Sequence, residues 1–482
     1  MKPPAQDEGA AVSECERTVR QQTGGLLSKL PLPQTTEGLA VHRAPSSRLV
    51  FTYLGCGVAS FVVLALWALL THEAIFNFYA HPELLAWVHL AVLGWINCMI
   101  FGVLFQFLPV ALNVNLASER LAWWQLGFYA FGGIGMIASF WFGRVDWPLH
   151  SFATFLAVGF YLFNWNLFKT FRKVRRWSLT GLFLYSANLY LLVTVTLGLF
   201  LSVEMSYPMV GIAHMIILPV HAHFGLVGWF FCVIAGVGLK LLPMFLLTHD
   251  HPKWPGWAAF FLLHPGLLLW SAGVVFFRES PLPAIGYALM ALSIGAWLLQ
   301  VALIFRSRMR TGVEVCGAER IRKTRTMEFP MRFAAVAFVV MGLALAAGAA
   351  VVFGFGSSLP DGGNRLTLLY GVLVFLPFLS LLIQAFFYRI FPFLVWIHRF
   401  KDTAGHIRTP KVKDLVPAGR AVTQMIVFMA GCGLLCAAVV SEVRLLAATG
   451  LAVILVSALG FAWNLGTVWV RARAAEEAGR IA

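Results

Sequence analysis

Two histidines open the same apolar pattern at two places in the sequence, 134 positions apart. His89 begins HLAVLGWINCMIFGVLFQFLP, and His223 begins HFGLVGWFFCVIAGVGLKLLP. Without gaps, the two segments agree in their His, Gly, Trp, Cys and terminal Pro residues. Unrelated apolar helices rarely share all of these, so the pattern indicates an internal duplication. An imidazole placed twice at one depth in a membrane is costly, which favours a role as ligand to heme or a metal.

Two further histidines lie close enough in the sequence to join such a site. His221 precedes His223 by two residues, and side chains so spaced diverge by about 200° on a regular helix. Either the two rings face different partners, or Pro219 leaves the first turn irregular. His223 is the expected ligand because it matches His89, and His221 is the additional one. His264, beside a proline, either bonds a carbonyl group freed by that proline or joins His221 and His223 at one metal.

Acidic residues are nearly absent from the apolar segments. Glu73, Glu83 and Glu204 all fall at the predicted ends of such segments. Proton-pumping transporters and cation permeases place acidic residues along their pathways, so this absence argues against both classes. The sequence also contains no nucleotide-binding loop, no His-Glu-x-x-His motif and no nucleophile elbow. No residue is therefore predicted to be catalytic.

The composition describes the environment of these residues. Of the 482 residues, 60% are hydrophobic and 12% charged, with a mean hydropathy of +0.79. This excludes a soluble globular protein and indicates a polytopic helical membrane protein. The net charge of +15 lies mainly in short connections between apolar segments, which suits a lipid surface and not nucleic acid. The seven cysteines form no CxxC motif and are interpreted as packing residues.

Windows of about 20 apolar residues predict an all-α bundle of twelve transmembrane helices. Residues 1–48 are predicted to be a disordered cytoplasmic tail, residues 49–470 the membrane domain, and residues 471–482 a short cytoplasmic tail. Helices 2, 6 and 10 are expected to be long and tilted, or to extend beyond the bilayer. The predicted spans are 49–71, 84–112, 122–143, 150–170, 178–204, 217–246, 256–277, 284–306, 333–355, 365–397, 421–441 and 445–470.

Arginine and lysine predict the orientation of the bundle. The loops after helices 4, 8 and 10 are rich in both residues, whereas the odd-numbered loops carry few. Cytoplasmic loops hold the excess of positive charge, so both termini are predicted to be cytoplasmic. We expect the protein to be integral to a bacterial cytoplasmic membrane, with His89 and His223 in the outer thirds of their helices.

Twelve helices, cytoplasmic termini and histidines at the outer ends of helices 2 and 6 resemble subunit I of heme–copper oxidases and nitric oxide reductases. The segment HAHFGLVGWFFCVIAGVGLKLLPMF is similar to the helix-6 region of that family, and to NnrS-type heme- and copper-containing membrane proteins linked to nitric oxide. The resemblance implies heme of the b type and copper as cofactors. It makes His89, His223 and His221 cofactor ligands, and His221, His223 and His264 metal ligands. It also implies a cytochrome c-like electron donor or respiratory complex subunits as partners.

The family is built from three pseudo-equivalent helix groups, in which helices 2, 6 and 10 correspond. A third copy of the pattern aligns on helix 10 through Pro392, but Val372 occupies the position of His223 and Pro377 that of the glycine. Span 365–397 contains no histidine, and helix 7 has His264 alone where the family has a His-His pair. Dioxygen reduction of the usual kind is therefore not expected.

The sequence is compatible with three functions. The leading one is a heme- and/or copper-binding membrane protein in respiratory redox chemistry or the nitric oxide response. The second is a non-enzymatic carrier or assembly factor for heme or copper. The third is a structural membrane subunit whose histidines only form hydrogen bonds between helices. Whether the protein is an enzyme is left open by the sequence.

Overall fold

The computed structural model describes residues 45–207, 214–248, 251–308, 311–312, 322–323, 327–354, 363–401 and 409–481. Twelve long helices account for most of this part of the chain. They are α1 (Ser47–Leu70), α2 (Pro82–Leu112), α3 (Glu119–Trp141), α4 (Trp147–Phe171), α5 (Leu179–Glu204), α6 (His214–Leu246), α7 (Trp254–Phe276), α8 (Leu282–Arg306), α9 (Phe329–Val352), α10 (Asn364–Phe400), α11 (Ala418–Ser441) and α12 (Arg444–Ile481).

The predicted all-α, twelve-helix membrane fold is confirmed. Eleven of the helices are long and apolar enough to cross a bilayer, and α3 is the twelfth, with 23 residues. The other elements are two short 3₁₀ helices, His72–Phe76 and Val412–Leu415, and an antiparallel pair of two-residue strands, β1 (Thr311–Gly312) and β2 (Arg322–Lys323).

Helix ends agree with the predicted spans to within four residues, with one exception. Helix α12 continues to Ile481 instead of ending at residue 470, so the predicted C-terminal tail is helical. Helices α2, α6 and α10 are the long ones expected, with 31, 33 and 37 residues. Because α10 reaches Phe400, it includes His398 in its last turn, far from the position that matches His223. Residues 1–44 of the predicted N-terminal tail lie outside the described residues.

The helices form three units of four: unit A (α1–α4), unit B (α5–α8) and unit C (α9–α12). In each unit the first helix packs on the second, and the third and fourth pair closely. The fourth helix of each unit also contacts the first helix of the next, and α12 returns to α1, so the units close into a ring. We call the end of the bundle at which α2, α6 and α10 begin the histidine face. The opposite end is the basic face.

The predicted duplication is visible in the backbone. Helix α2 widens into a π-helix at Leu90–Asn97, and α6 does so at Phe224–Phe231, again 134 positions later. Both helices end in a left-handed residue at equivalent positions, Asn113 (φ 55°) and Leu247 (φ 52°). Helix α10 contains a third π-helix at Val374–Ser380, in the register that aligns Val372 with His223. The repeat therefore includes backbone features that no periodicity of side chains revealed.

Glycines at repeated positions allow the third and fourth helices of a unit to approach closely. A Cβ atom on Gly132 of α3 would overlap the backbone nitrogen of Leu156 on α4. In unit B, a Cβ atom on Gly266 of α7 would lie 2.8 Å from the backbone nitrogen of Met290 on α8. Small residues at such contacts favour helix association in membranes, because the backbones gain van der Waals contact.

Substituting Gly132→Val is expected to destabilise the bundle by about 1–3 kcal/mol, the usual cost of overpacking a closely packed contact. The clash is with the backbone of α4, which cannot be relieved by rotating a side chain. Thermal unfolding of the purified protein in detergent measures the effect. Gly127→Val is the matched control, because Gly127 lies on the same helix and has no heavy atom within 4 Å of its added Cβ position. Equal melting temperatures for the two variants would contradict this account of the α3–α4 contact.

Candidate functional site

The three π-helices occupy equivalent positions in α2, α6 and α10. A π-helix closes its hydrogen bonds five residues apart and is rare, occurring mostly as short segments within α-helices and frequently at functional sites. In hydrocarbon, any backbone group that the wider turn leaves free needs a partner within the protein. The Tyr129 hydroxyl of α3 donates to the Leu93 carbonyl at 2.7 Å, and the Ser380 hydroxyl donates to the Phe375 carbonyl at 2.6 Å. Side-chain hydroxyl groups thus add hydrogen bonds to carbonyls of two π-helices.

Two tryptophans connect the π-helices to one another. The Trp229 indole nitrogen of α6 donates to the Asn97 side-chain oxygen of α2 at 2.8 Å. The Trp95 indole nitrogen of α2 donates to the Ser380 hydroxyl of α10 at 2.9 Å. The two tryptophans are equivalent in the repeat, and so are their acceptor positions. Each indole is about 1% exposed, so both hydrogen bonds lie in the dry interior of the bundle.

The third junction of this ring, between α10 and α6, lacks the corresponding hydrogen bond. The position equivalent to the tryptophans is Phe378 on α10, and its expected acceptor position on α6 is Phe231. Neither side chain can donate or accept a hydrogen bond. Both line a cavity of about 70 Å³ instead. An indole hydrogen bond therefore joins the π-helices at two junctions, and a cavity lies at the third.

His89 and His223 stand one residue before their π-helices and have the same local geometry. The His89 Nδ1 atom lies 2.7 Å from the Leu85 carbonyl oxygen, and the His223 Nδ1 atom lies 2.8 Å from that of Pro219. A carbonyl oxygen only accepts, so Nδ1 carries the proton and donates in both rings. The neutral Nε2 atom is then the lone-pair donor, which is the arrangement found in histidines that bind metals.

Aromatic side chains of the neighbouring helices fix the planes of the two rings. His89 stacks on Phe140 of α3, with 5.2 Å between ring centroids and 24° between planes. His223 packs on Trp270 of α7, with 4.2 Å between centroids. Each ring is therefore held by one carbonyl group of its own helix and one aromatic ring of the next helix in its unit. Repeated positioning of this kind preorganises the Nε2 atoms.

His221 and His223 diverge, which is the first of the two alternatives considered from the sequence. The first segment of α6, His214–His223, stays helical through Pro219. The His221 Nδ1 atom donates to the Thr194 carbonyl of α5 at 2.9 Å. The ring occupies space that exists because residue 198 is glycine, where a Cβ atom would lie 2.9 Å from the His221 ring.

The structure keeps His221 and His264 in different surroundings, with His221 bonded to the Thr194 carbonyl of α5. The His264 Nδ1 atom forms a hydrogen bond of 2.6 Å with the Tyr190 hydroxyl of α5, not with a carbonyl group freed by the adjacent proline. Among the described residues, no three His, Cys, Asp or Glu side chains are grouped closely enough to hold one metal ion. The set of His221, His223 and His264 is therefore not assembled there, and its metal ligation stays a prediction.

Sequence reasoning missed the polar residues that join the π-helices. The signal for the tryptophans was present, since Trp95 and Trp229 coincide in the repeat. Their acceptors gave no such signal, because Asn97 aligns with Phe231 and only the fold brings Asn97 to α6 and Ser380 to α2.

The sequence matches no known protein family and no curated protein.

Substituting Trp229→Phe is expected to lower stability by about 0.6 kcal/mol and at most ~1.7 kcal/mol beyond the loss of ring area, the range measured for hydrogen bonds within membranes. A double-mutant cycle with Asn97→Leu isolates this coupling, because the double variant leaves neither group unpaired. Reversible unfolding in mixed micelles is the measurement.

Trp87→Phe provides the matched control for the loss of indole volume. Trp87 is also buried on α2, and its indole nitrogen has no hydrogen-bond partner among the described residues. A coupling energy of zero between positions 229 and 97 would show that their hydrogen bond does not join the helices energetically.

Proposed function

We propose that this protein binds heme and/or copper within the membrane through imidazole Nε2 atoms and acts in redox chemistry or the response to nitric oxide. The observation that carries the proposal is the repeated geometry of His89 and His223. In both, the Nδ1 proton is committed to a backbone carbonyl, and the Nε2 atom has no hydrogen bond to another described residue. If these two histidines only joined helices, the second ring nitrogen of each would be expected to bond another helix. In both copies of the repeat it forms no such bond to a described residue.

The donor set suits both groups chemically. Neutral imidazole is a ligand for copper and for heme iron, and the apolar surroundings control solvent access and redox potential. His89, His223 and His221 stay the candidate ligands of such a group, each with its Nδ1 atom bonded to a backbone carbonyl. Gly198 leaves room for the His221 ring.

The space around His223 fits a metal ion or a small molecule better than a porphyrin. The cavity that His223 lines has a volume of about 70 Å³. Cofactor pockets are generally ~300–1,000 Å³. Binding of heme at His223 would therefore require helices to separate, whereas copper needs only its ligands. The fit favours copper at these histidines, and heme requires the larger rearrangement.

The protein's own contribution would be to hold and shield the group. Copper or heme supplies the one-electron chemistry when bound. The chain fixes the imidazole tautomers through the Leu85, Pro219 and Thr194 carbonyls, and it excludes water with buried aromatic residues. An electron donor resembling cytochrome c, or subunits of a respiratory complex, would be the partner in such a role.

A carrier or assembly factor for copper or heme is the second candidate. It is favoured by the absence, among the described residues, of any group of three metal-ligating side chains. Two ligands hold an ion loosely enough to pass it on, whereas a resident redox centre needs a complete ligand set. The structural alternative draws on His221 and His264, whose observed hydrogen bonds both join different helices.

We also propose that the histidine face is extracytoplasmic. The connection between α4 and α5, on the basic face, carries Arg172, Lys173, Arg175 and Arg176. Such loops are retained in the cytoplasm. A C-terminal fusion is expected to be active with a green fluorescent protein reporter and inactive with alkaline phosphatase, and the reverse result would invert the orientation.

The substitutions His89→Ala and His221→Ala are each expected to lower copper or heme affinity at least tenfold, since even supporting residues of metal sites contribute about 10–100-fold. Metal analysis and a pyridine hemochrome spectrum of the purified protein measure the content. His72→Ala is the matched control, because His72 also bonds a carbonyl group of its own chain but lies in the connection between α1 and α2.

Wild-type protein that takes up neither copper nor heme would remove the proposal. Stoichiometric metal without turnover of nitric oxide or dioxygen would favour the carrier. Unchanged metal content in both variants, with altered melting temperatures, would favour the structural role.

A further inference from the structure

The cavity beside His223 marks the junction at which the three-unit ring departs from its own pattern. Two junctions are closed by an indole hydrogen bond, at Trp229–Asn97 and Trp95–Ser380. The third presents Phe378 and Phe231 at the equivalent positions, and both line the cavity. The cavity therefore lies where two apolar side chains stand in place of the hydrogen-bonded donor and acceptor of the other junctions.

The packing of the helices around this junction is also the loosest of the three. Units A and B meet closely through α4 and α5, and units C and A meet through α12 and α1. Helices α8 and α9, which join units B and C, have the fewest contacts of these pairs. The cavity lies between them and α6 and α10, and its lining includes Met290 of α8 and Met341 of α9.

The lining defines what the cavity can hold. Most of its side chains are apolar, and the exceptions are His223 and the tyrosines Tyr287 and Tyr370. The Tyr287 hydroxyl already donates to the Leu345 carbonyl at 2.9 Å. None of the lining residues carries a fixed charge, so a charged headgroup, or an ion that the imidazole does not ligate, would find no counterion there. Apolar cavities of this kind stay dry and take up small apolar molecules such as xenon.

We propose that this cavity is a binding site for an uncharged, lipid-soluble molecule of a few heavy atoms, bound against the imidazole of His223. The volume of about 70 Å³ sets the size limit and excludes a lipid chain or a ring-sized headgroup as the occupant. This deepens the proposed function by naming a ligand class for the same histidine. The cavity itself does not depend on copper or heme, because it exists in the protein chain alone.

Xenon is the probe, because it is apolar, uncharged and detectable in the protein by ¹²⁹Xe NMR. The protein in lipid nanodiscs is expected to show a saturable xenon site. Ala344→Phe fills the cavity from α9 and should weaken xenon binding at least tenfold. Ala346→Phe adds the same ring on the exposed side of α9, outside the cavity lining, and should leave xenon binding unchanged.

A second variant tests the same site by introducing the hydrogen-bonding pair that the other two junctions have. Phe378→Trp combined with Phe231→Asn restores the donor and acceptor types of the other two junctions. It is expected to close the α10–α6 junction and to abolish xenon binding, even if the Ala344 variant fails to fold. Folding is checked for each variant by its melting temperature.

The outcomes separate this inference from the proposed function. Saturable xenon binding lost in the two filled variants supports the site, whether or not copper or heme is found in the same preparations. No saturable xenon site in the wild type, or equal binding in Ala344→Phe and Ala346→Phe, overturns it.

Discussion

The hydrogen-bonding requirement of backbone in hydrocarbon is the constraint on which the centre of this bundle depends. Each of α2, α6 and α10 replaces about two α-helical turns with a π-helix at the equivalent position of the repeat. A wider turn changes which carbonyl groups find partners along the helix, and lipid offers none. The hydroxyl groups of Tyr129 and Ser380 bond carbonyls in the π-helices of α2 and α10. Through the Tyr129 hydroxyl, α3 is thereby bound to the π-helix of α2.

The candidate ligands stand directly before the widened turns, and the tryptophans stand within them. His89 and His223 end the α-helical segments, and the tryptophans follow within the π-helices. The histidines face the third helices of their own units, where Phe140 and Trp270 pack on them. The tryptophans face the neighbouring units. One helix thus contributes both to a candidate ligand site and to the contact that holds the units together.

The sequence predicted the number and limits of the helices because apolar length is a direct consequence of bilayer thickness. The duplication was predictable because His, Gly, Trp and Pro coincide in two copies. The π-helices were not, since the residues of Leu90–Asn97 have no composition that separates a π-helix from an α-helix. The contact of His221 with α5 was also beyond the sequence, because it depends on how α5 and α6 pack together.

The histidines show the same division between local and tertiary information. Divergence of His221 and His223 followed from helical geometry, and the structure agrees. The partner of His264 did not follow, because the Tyr190 hydroxyl comes from α5 and competes successfully with any carbonyl group freed in α7. A proline beside a histidine indicated an available acceptor, but the fold placed a better one nearby.

Departures from an internal repeat are informative when they cluster in space. Val372 replaces histidine, Phe378 replaces tryptophan, and Phe231 replaces asparagine. All three lie on α10 or α6, the two core helices that face each other across the third junction, and both phenylalanines line its cavity. At this junction the donor and acceptor of the other two are exchanged for apolar side chains that line a cavity. Natural sequences break their own local rules mainly at functional sites.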